Sequence, residues 1–326
     1  MFRRPRIHRS GQLEKSADPQ GFRGKLRNVA FLFTGILLFF SVITPSWNQG
    51  DFLARCLECV QQQGSEDYEH LVFDNCSTDQ TETVVAEFPQ VRLVREADRG
   101  QSHAVNKGLA AARGEIVCWL NADDAYPPGL FARLRELFKD PACDVVFGDV
   151  EQVAYDGRPP QLAAAVFRDR LDLVRWWSSR ARLHQPAVFF RRKVYEATGP
   201  LREDLHYCMD YEYWWRISEK FAFHHVAEVL AIQHRQPESK TVRSWHRVYE
   251  ERGRIFAPFY SLIDAGDRAA LLREKSRTMS DRYLMNASAA APTDGGAALA
   301  DVWRGLREDP SAVLRGDWLG VLRRCF

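Results

Sequence analysis

Short apolar runs alternate with amphipathic segments along the first half of the chain. Runs of β-branched and aromatic residues are typical of buried strands, and apolar residues spaced three and four positions apart are typical of helices. The predicted strands cover Phe39–Thr44, His70–Phe73, Val91–Val94, Glu115–Leu120 and Asp144–Val150. The helices predicted between them cover Asp51–Gln63, Thr78–Phe88, Ser102–Ala112 and Pro128–Lys139. This alternation predicts an α/β fold with βαβ units and a mostly parallel sheet flanked by helices.

The alternation weakens after residue 156. The pattern there predicts helices at Leu171–Ser178, Lys193–Ala197 and Tyr211–Lys220, and strands at Ala187–Phe190 and Val226–Ile232. Beyond about Ser244 the chain is helical and amphipathic, and the Ala- and Gly-rich stretch Ala287–Ala298 is predicted to be a linker. We expect one α/β domain over residues 29–243, with halves at about 39–156 and 157–243, and a helical C-terminal extension over residues 244–326.

Residues 1–28 carry eight Arg or Lys residues against one Glu and one Asp, with little apolar content, which is typical of a disordered basic tail. Such a tail is suited to anionic lipid headgroups, and a solvated tail without a role is the alternative. The next stretch, Val29–Ile43, is uncharged and mostly apolar, as in a signal anchor. Its end is needed for the first strand, which leaves about twelve residues where a spanning helix needs about twenty. We interpret it as a strand extension or an interfacial segment, with a membrane span as the alternative.

The composition is that of an ordinary globular protein, with 45% hydrophobic and 27% charged residues. A net charge of only +2 argues against a nucleic-acid binder. The seven cysteines are odd in number and scattered, which favours a reducing, cytosolic compartment. Cys56 and Cys59 have the spacing of a redox or zinc half-site, but they lie on a predicted helix without a second pair, which favours ordinary helix positions.

Two adjacent carboxylates, Asp123 and Asp124, follow the predicted strand Glu115–Leu120. In open α/β sheets, ligands bind at the carboxyl ends of the strands. Two carboxylates that face one crevice repel each other unless a cation lies between them. Hard oxygen ligands suit Mg²⁺ or Mn²⁺, ions that usually bridge to the phosphates of a substrate. The pair therefore predicts a divalent metal site, and a solvated Asp-Asp turn is the alternative.

Small polar and Asx residues follow the first two predicted strands, in the segments from Pro45 to Asn48 and from Asp74 to Asp79. Such side chains hydrogen-bond the polar edge of a base and the hydroxyls of a ribose, and Trp47 offers a flat surface on which a base can stack. After the third strand, Arg99 is placed to face a base or a phosphate. These segments together predict a nucleotide site at one edge of the sheet.

This order of segments resembles the family 2 glycosyltransferases, which bind nucleotide sugars with the GT-A fold, a Rossmann-like sheet. The resemblance extends from about Ser41 to Thr241. It rests on the stretches SVITPSWNQGDFLARCLECVQQQG, LVFDNCSTDQT, EADRGQSHAVNKGLAAARGEIVCWLNADDAYPPG and HQPAVFFRRKVYEATGPLREDLHYCMDYEYWWRIS. It implies that residues 39–156 form the nucleotide-sugar half and residues 157–243 the acceptor half.

The resemblance also implies a role for each matched residue. Asp124 matches the carboxylate that coordinates the divalent ion, and Asp123 matches its neighbour, which reaches the ribose or the water shell of the metal. Asp210 matches the catalytic base. Many relatives have a further His where this chain has Gln236, and His234 is the candidate substitute as a metal ligand. The residues that match the donor-binding segments are Pro45, Trp47, Asp74, Asn75 and Arg99.

The implied reaction is an inverting, Mn²⁺- or Mg²⁺-dependent transfer of a sugar from a nucleotide-sugar donor, with UDP as the expected nucleotide. The acceptor would be a hydroxyl of a glycan or of a lipid-linked molecule, in surface polysaccharide or cell-envelope synthesis. We expect a cytoplasmic protein, with a possible contact to the inner face of the membrane through the basic N-terminus or the terminal helix 313–326, for which simple packing is the alternative. The aromatic candidates for stacking on the acceptor, with the protein core as the alternative, are Trp176, Trp177, Tyr207, Tyr211, Trp214 and Trp215.

Two other functions compete with this one. A sugar-phosphate nucleotidyltransferase would need a Gly-rich, basic loop after the first strand, and the segment from Pro45 to Gly50 has no basic residue. A non-catalytic nucleotide-sugar-binding module would not need Asp123, Asp124 and Asp210 together. A glycosyltransferase is therefore the favoured prediction.

Overall fold

The computed structural model describes residues 38–178, 180–236, 244–314 and 318–325, all within one compact unit that spans Leu37–Phe326. The predicted basic tail and the stretch from residue 29 to residue 37 lie outside the described residues. Within the described part, no helix has both the length and the apolar character needed to cross a bilayer.

One mixed sheet organises the described chain. Strands β1 to β4 run parallel to one another, and β7 lies antiparallel between β4 and β5. The spatial order is β3-β2-β1-β4-β7-β5-β6, and β8 also pairs with β5, in parallel. The strands are β1 (Phe40–Ser46), β2 (Tyr68–Asp74), β3 (Val91–Arg95), β4 (Ile116–Trp119), β5 (Val145–Ala154), β6 (Gln161–Ala163), β7 (Val188–Arg191) and β8 (Phe223–Arg235).

Helices cover the sheet and form the C-terminal extension. The sheet-covering helices are α1 (Gly50–Gln61), α2 (Thr81–Ala86), α3 (Gln101–Ala111), α4 (Leu130–Leu137), α5 (Arg170–Val174), α6 (Arg192–Thr198) and α7 (Met209–Ile217). The extension contains α8 (Trp245–Phe256), α9 (Ala265–Ala290), α10 (Gly295–Glu308) and α11 (Trp318–Cys325). The mostly parallel α/β architecture predicted from the sequence is confirmed.

Strand β1 is buried along its whole length, as expected for a central strand covered on both faces. Val42 packs in one cluster with Val60 of α1, whereas Ile43 packs in another with Val105 of α3. Gly108 of α3 crosses β1 so closely that an added Cβ would lie 2.2 Å from Ile43. Each buried aliphatic side chain of this kind stabilises the fold by about 1.5–3 kcal/mol. This central packing fixes the ends of β1, β2 and β4, where the site residues lie.

The predicted linker at Ala287–Ala298 is wrong. Helix α9 continues to Ala290, and α10 begins at Gly295, with Ala287 and Ala298 fully buried. Small residues that suggested a loop instead allow the two helices to pack closely. Asp294 caps α10, because its carboxylate accepts from the Ala297 N–H at 2.9 Å.

The terminal helix α11 packs against its neighbours. Trp318 and Val321 are fully buried, and an added Cβ on Gly305 of α10 would lie 2.2 Å from the Trp318 ring. Leu319 is exposed on the opposite side of α11. The packed-helix interpretation therefore holds for the apolar face that contains Trp318.

Cys56 and Cys59 occupy ordinary helix positions on α1. The Cys59 thiol donates to the Cys56 carbonyl at 3.1 Å, and Cys56 is fully buried. Burial raises the pKa of the Cys59 thiol to about 11 and that of Cys56 well above its usual value. Both groups are therefore thiols rather than thiolates near neutral pH, which argues against a redox or zinc role.

Candidate functional site

The Asp-Asp pair lies in a tight turn just after β4. The Asp124 N–H donates to the Asn121 carbonyl at 3.1 Å, and Ala125 then forms a two-way backbone bridge with Ile232 of β8, at 2.9 and 2.8 Å. The Asp124 carboxylate also accepts from the backbone N–H of His234. The turn is thereby held between β4 and β8, and Asp124 is only 3% exposed. The alternative of a solvated turn is wrong for Asp124.

Both carboxylates of the pair have raised pKa values. Burial raises the pKa of Asp124 well above its usual range, and the neighbouring charge of Asp123 raises it further. Burial also raises the pKa of Asp123, although the positive charge of Arg55 opposes this. Two buried carboxylates that destabilise each other in this way form a favourable site for a divalent cation.

The residues present fit a divalent ion that is completed by a substrate. Among the described residues, no group of three or more His, Cys, Asp or Glu side chains converges on one point. A site of one or two carboxylates that relies on waters and substrate phosphates is the usual arrangement for Mg²⁺. Asp124, with Asp123 beside it, would hold such an ion.

His234 lies beside the pair, on β8. Its ring contacts the backbone carbonyl of Asp123, and its Nδ1 is buried without a hydrogen-bond partner among the described residues. Burial, together with the positive charge of Arg55, lowers the pKa of the imidazole, so that it is neutral near pH 7. The neutral form is the one that ligates metals.

Asp210 lies in the first turn of α7 and faces the same cleft. The cleft has a volume of about 320 Å³ and contains Asp123, Asp124, Asp210 and His234 in its walls. Burial raises the pKa of Asp210 to about 6, and the positive charge of Arg252 limits the rise. A carboxylate with a pKa near the working pH is suited to accept a proton from a hydroxyl group.

The backbone before Asp210 is held by a carboxylate that the sequence did not single out. Glu251 of α8 is buried and accepts from the backbone N–H groups of His206, Tyr207 and Cys208, at 3.0, 2.7 and 2.8 Å. These amides precede the first turn of α7, where unpaired N–H groups favour an anion. The C-terminal extension therefore supports the segment that carries Asp210.

Two more side chains of the cleft also escaped the sequence analysis. Gln185 donates to the Trp119 carbonyl at 2.5 Å and accepts from the Asn121 amide at 2.8 Å, which orients the turn before the Asp pair. Arg252 of α8 stacks on the Tyr211 ring at 3.9 Å. No spacing rule connects α8 or Gln185 to β4, so the sequence held no signal for them.

The aromatic candidates for acceptor stacking belong mostly to the core. Trp214 is fully buried, and Tyr211 is covered by Arg252, so neither has a free ring face for a sugar. Tyr207 is half-buried and lies in the cleft wall. The stacking prediction is therefore wrong, and the core alternative is correct, for Trp176, Trp177, Trp214 and Trp215.

Of the predicted donor-binding residues, Asp123 lies in the wall of this cleft. Those from Pro45 to Asn75 lie at the ends of β1 and β2, and Arg99 lies after β3, all outside the cleft walls. Pro45 is buried opposite Phe73, and Trp47 is 63% exposed just after β1. The backbone N–H of Thr78 donates to Asn48 at 2.9 Å, which joins the loop after β1 to the loop after β2. Trp47 therefore presents a free ring beside an ordered pair of loops.

The remaining donor-binding candidates are engaged with neighbouring groups. The buried Asp74 carboxylate accepts from the Ser77 N–H at 2.9 Å and lies 3.5 Å from the Arg95 guanidinium. Asn75 accepts from the Asp98 N–H at 2.8 Å. Arg99 forms an exposed ion pair with Glu203 at 2.6 Å. The structure thus brings Asp123, Asp124, Asp210 and His234 together, whereas these three residues shape the adjacent loops.

Comparison with known proteins identifies the domain. Residues 41–199 match the sequence profile described as Glycosyl transferase family 2. The chain carries a family 2 glycosyltransferase domain. The match includes Asp123 and Asp124 and ends before Asp210 and α8.

A glycosyltransferase of Mycobacterium tuberculosis, named for PGL/p-HBAD biosynthesis, is 32% identical over 168 residues. The match covers 49% of this chain and 62% of that relative, so the chain spans less than two thirds of the relative's length.

Two solved structures share the fold. S. aureus TarS 1–349, in complex with UDP-GlcNAc, has a TM-score of 0.54 at 16% identity, covering 85% of this chain and 92% of that chain. The mannosyltransferase PcManGT from Pyrobaculum calidifontis, in complex with GDP-Man and Mn²⁺, has a TM-score of 0.53 at 20% identity, covering 88% and 83%. These similarities confirm the GT-A fold that the sequence predicts.

Proposed function

We propose that this protein is an inverting glycosyltransferase that moves a sugar from a UDP-linked donor to a hydroxyl group of a glycan or lipid-linked acceptor. The observation that carries the proposal is the arrangement of the cleft, with Asp123 and Asp124 in one part of its wall and Asp210 in another. A glycosyl transfer needs stabilisation of a departing diphosphate and removal of a proton from the acceptor. These side chains supply both functions in one crevice.

Asp124, with Asp123 and His234 beside it, would hold the divalent ion, Mn²⁺ or Mg²⁺. When bound, the ion supplies electrostatic stabilisation of the departing diphosphate. Two contacts support this role: the backbone N–H of His234 on β8 donates to the Asp124 carboxylate, and Gln185 orients Asn121 beside it. The complex of PcManGT with Mn²⁺ supports the choice of metal.

Asp210 would act as the general base. Its carboxylate accepts the proton of the acceptor hydroxyl while the oxygen attacks the anomeric carbon, in a transition state with oxocarbenium character. An acceptor oxygen that attacks from the face opposite the leaving group inverts the anomeric centre. The pKa of about 6 leaves the carboxylate mostly ionised at neutral pH, so that it can perform this step.

The loops after β1 and β2 would bind the nucleotide. Trp47 offers an exposed ring for stacking on the base, and Asn75 and Asp74 line the turn next to it. Arg99 would release its exposed partner Glu203 and bind the donor instead. This exchange costs little, because an exposed ion pair contributes only about 0–1 kcal/mol to stability. TarS in complex with UDP-GlcNAc supports a UDP-sugar as the donor.

We place this activity in the cytoplasm, in surface polysaccharide or cell-envelope synthesis. Six of the cysteines are free, as expected in a reducing compartment: Cys56, Cys59, Cys76, Cys118, Cys143 and Cys208. The mycobacterial relative, named for PGL/p-HBAD biosynthesis, supports a role in cell-envelope synthesis. The basic N-terminus and the terminal helix α11 remain the proposed contacts with the membrane surface.

A donor screen tests the proposal. The full chain is incubated with Mn²⁺ and a panel of UDP-, GDP- and dTDP-sugars, with and without polyol, glycan and lipid-phosphate acceptors, and nucleoside diphosphate release is measured. We expect release from UDP-sugars, lost with EDTA, and reduced at least about 100-fold by Asp210→Asn. Asp124→Asn should raise the Mn²⁺ concentration needed for activity.

Asp156→Asn serves as the matched control, because Asp156 lies in an exposed turn, where it pairs with the neighbouring Arg158. It should keep full activity. If no donor is turned over with any acceptor, or if Asp210→Asn is as active as Asp156→Asn, the proposed function is wrong.

A further inference from the structure

A guanidinium group lies in the wall of the cleft at the end where Asp210 lies. Arg252 belongs to α8, in the C-terminal extension, yet it lines the cleft together with Asp210, Tyr207 and Tyr211. The guanidinium is protonated at neutral pH, because the surrounding groups raise the pKa of Arg252 above the usual value for arginine. A fixed cation in a cleft that binds substrate is a candidate recognition group.

The environment of Arg252 holds the group in place without neutralising it. The guanidinium stacks on the Tyr211 ring at 3.9 Å, and it hydrogen-bonds the Cys208 side chain. Among the described residues it forms no ion pair with a carboxylate, and its Nε is buried without a hydrogen-bond partner. Several charge-assisted hydrogen bonds therefore remain available to a ligand.

The neighbouring arginine on the same helix behaves differently. Arg254 is exposed and pairs with the Glu251 carboxylate at 3.4 Å. Many of the described arginines likewise have a carboxylate partner, such as Arg216 with Glu212 and Arg113 with Glu69. Arg252 has none among the described residues, and it lies in the cleft, where a carboxylate partner would have to come from Asp210 or from a ligand.

Different cations act on the two acidic parts of the cleft wall, and the second guanidinium in that wall besides Arg252 is Arg235, next to His234. Arg55 donates to the Asp123 carbonyl at 3.3 Å and acts electrostatically on Asp123, Asp124 and His234, at the end proposed for the diphosphate. Arg252 acts on Asp210. An anion bound by Arg252 would therefore lie next to the acceptor hydroxyl and not next to the departing diphosphate.

We propose that Arg252 binds an anionic group of the acceptor, a phosphate or a carboxylate, next to the hydroxyl group that Asp210 deprotonates. This inference rests on the proposed function, because only a transferase has an acceptor. The phosphate-binding test below does not require turnover. The planar guanidinium, fixed on Tyr211, presents its free N–H groups in the fork that matches two oxygens of such an anion. The acceptor is thus an anionic polyol or glycan, and a neutral one is a poor substrate.

The first test is binding of inorganic phosphate by calorimetry to the full chain, with UDP and Mn²⁺ measured in parallel. We expect Arg252→Gln to weaken phosphate binding at least tenfold and to leave UDP binding within twofold. Arg273→Gln, which removes an equal charge from an exposed position on α9, should bind phosphate like the wild type. Unchanged phosphate binding in Arg252→Gln overturns the inference, and an equal loss of UDP binding assigns Arg252 to the diphosphate and also overturns it.

The second test uses the donor found by the screen and pairs of acceptors that differ in charge, such as glycerol and glycerol 3-phosphate, or glucose and glucuronate. The wild type should prefer the charged member at least tenfold in kcat/KM, and Arg252→Gln should lose that preference through KM. Arg252→Lys should keep part of it. The phosphate and carboxylate pairs distinguish the two sources of the anion, and an equal preference for neutral acceptors in both proteins overturns the inference.

The outcomes also separate this inference from the proposed function. Failure of every donor with the wild type would refute the transferase activity, whereas UDP-sugar turnover without any role of Arg252 would refute only the anion site. Thermal unfolding of each variant identifies one that fails to fold. In that case Arg252→Lys, which keeps the charge and loses the planar fork, decides the question through the same two measurements.

Discussion

Two opposing effects set the pKa of Asp210. Burial disfavours the charged carboxylate, and the Arg252 guanidinium favours it, with a resulting pKa of about 6. A base with this pKa is ionised at neutral pH and still has appreciable affinity for a proton. The balance depends on a residue about forty positions away in sequence, on a helix of the C-terminal extension.

This balance predicts the pH dependence of the reaction. In the wild type, kcat should rise with pH, reach half its maximum near pH 6 and level off at higher pH, because only the ionised Asp210 accepts a proton. Arg252 lowers the pKa of Asp210, so Arg252→Gln should raise that pKa and move the acid limb to higher pH. The measurement is kcat against pH at saturating donor and acceptor. Arg273→Gln should leave the acid limb of the profile unchanged. An unchanged acid limb in Arg252→Gln would contradict the assignment of Arg252 as the group that lowers the pKa of Asp210.

At the scale of single residues, the sequence identified the acidic groups but not their partners. Asp123, Asp124 and Asp210 were found because they follow a predicted strand or match a family motif. Glu251 and Arg252 were not, because helical periodicity reveals which face of α8 is apolar but not which distant element its polar side chains meet. The burial of the acceptor-side tryptophans was likewise a property of tertiary packing.

Helix α8 connects the C-terminal extension to the catalytic half. The Glu251 carboxylate accepts three backbone hydrogen bonds just before α7, where no side chain caps the helix. Hydrogen bonds to a charged acceptor are stronger than neutral ones. The segment before Asp210 is therefore fixed by a side chain of another element, and the position of Asp210 depends on that side chain.

We expect Glu251→Gln to lower both stability and turnover. The amide keeps one acceptor oxygen and loses the charge, so one or more backbone N–H groups lose their partner, at a cost of about 1–3 kcal/mol. Displacement of Asp210 should lower kcat and leave the KM of the donor unchanged. Urea unfolding and steady-state kinetics measure the two effects.

Glu250→Gln is the matched control, since Glu250 is the exposed neighbour of Glu251 on the same helix. It should leave both stability and kcat unchanged. Equal behaviour of the two variants would show that Glu251 does not position the base.

The elements of the sheet were predictable, and their lengths were less so. Strands β5 and β8 extend beyond the predicted ranges because they pair with each other as far as Ala154 and Arg235. Their outer halves are polar and half-exposed, and backbone pairing alone keeps them extended. The three-residue strand β6 was missed for the same reason, since its pairing with β5 leaves no apolar pattern.

At the scale of the whole molecule, one core joins the sheet to the C-terminal helices. A single cluster of buried side chains runs from Ile43 in β1 to Val321 in α11. Trp176 stacks on Tyr249 of α8, with ring centroids 5.8 Å apart, and Trp245 contacts Tyr283 of α9. Sequence patterns predicted the helices of the extension but not this shared core, because contacts between distant segments leave no local signal.

His70 makes the stability of the whole domain sensitive to acid. It lies in the middle of β2, 1% exposed, with its Nε2 2.9 Å from the Thr44 hydroxyl. Burial lowers its pKa to about 3, whereas the unfolded chain has a pKa of about 6.5. As the pH falls from 7 to 5, the unfolded state takes up a proton that the folded state does not, which lowers the stability by about 2 kcal/mol.

Replacing His70 by Asn should remove this contribution. Urea unfolding at pH 7 and pH 5 should show a smaller loss of stability for His70→Asn than for the wild type. The variant should also be less stable at pH 7, because the hydrogen bond to Thr44 changes. His206→Asn, an exposed substitution, should keep the pH dependence of the wild type. An unaltered pH dependence in His70→Asn would assign the acid sensitivity to other groups.

The adjacency of Glu251 and Arg252 has an evolutionary consequence. The Glu251 carboxylate binds backbone N–H groups, which are present whatever the side chains of that loop are. Its neighbour Arg252 lines the cleft proposed for the substrate. A lineage can therefore change residue 252, and with it the proposed preference for acceptor charge, while residue 251 keeps the backbone before Asp210 in position. Such a change would leave the placement of the proposed base intact and would shift its pKa, because Arg252 acts on Asp210.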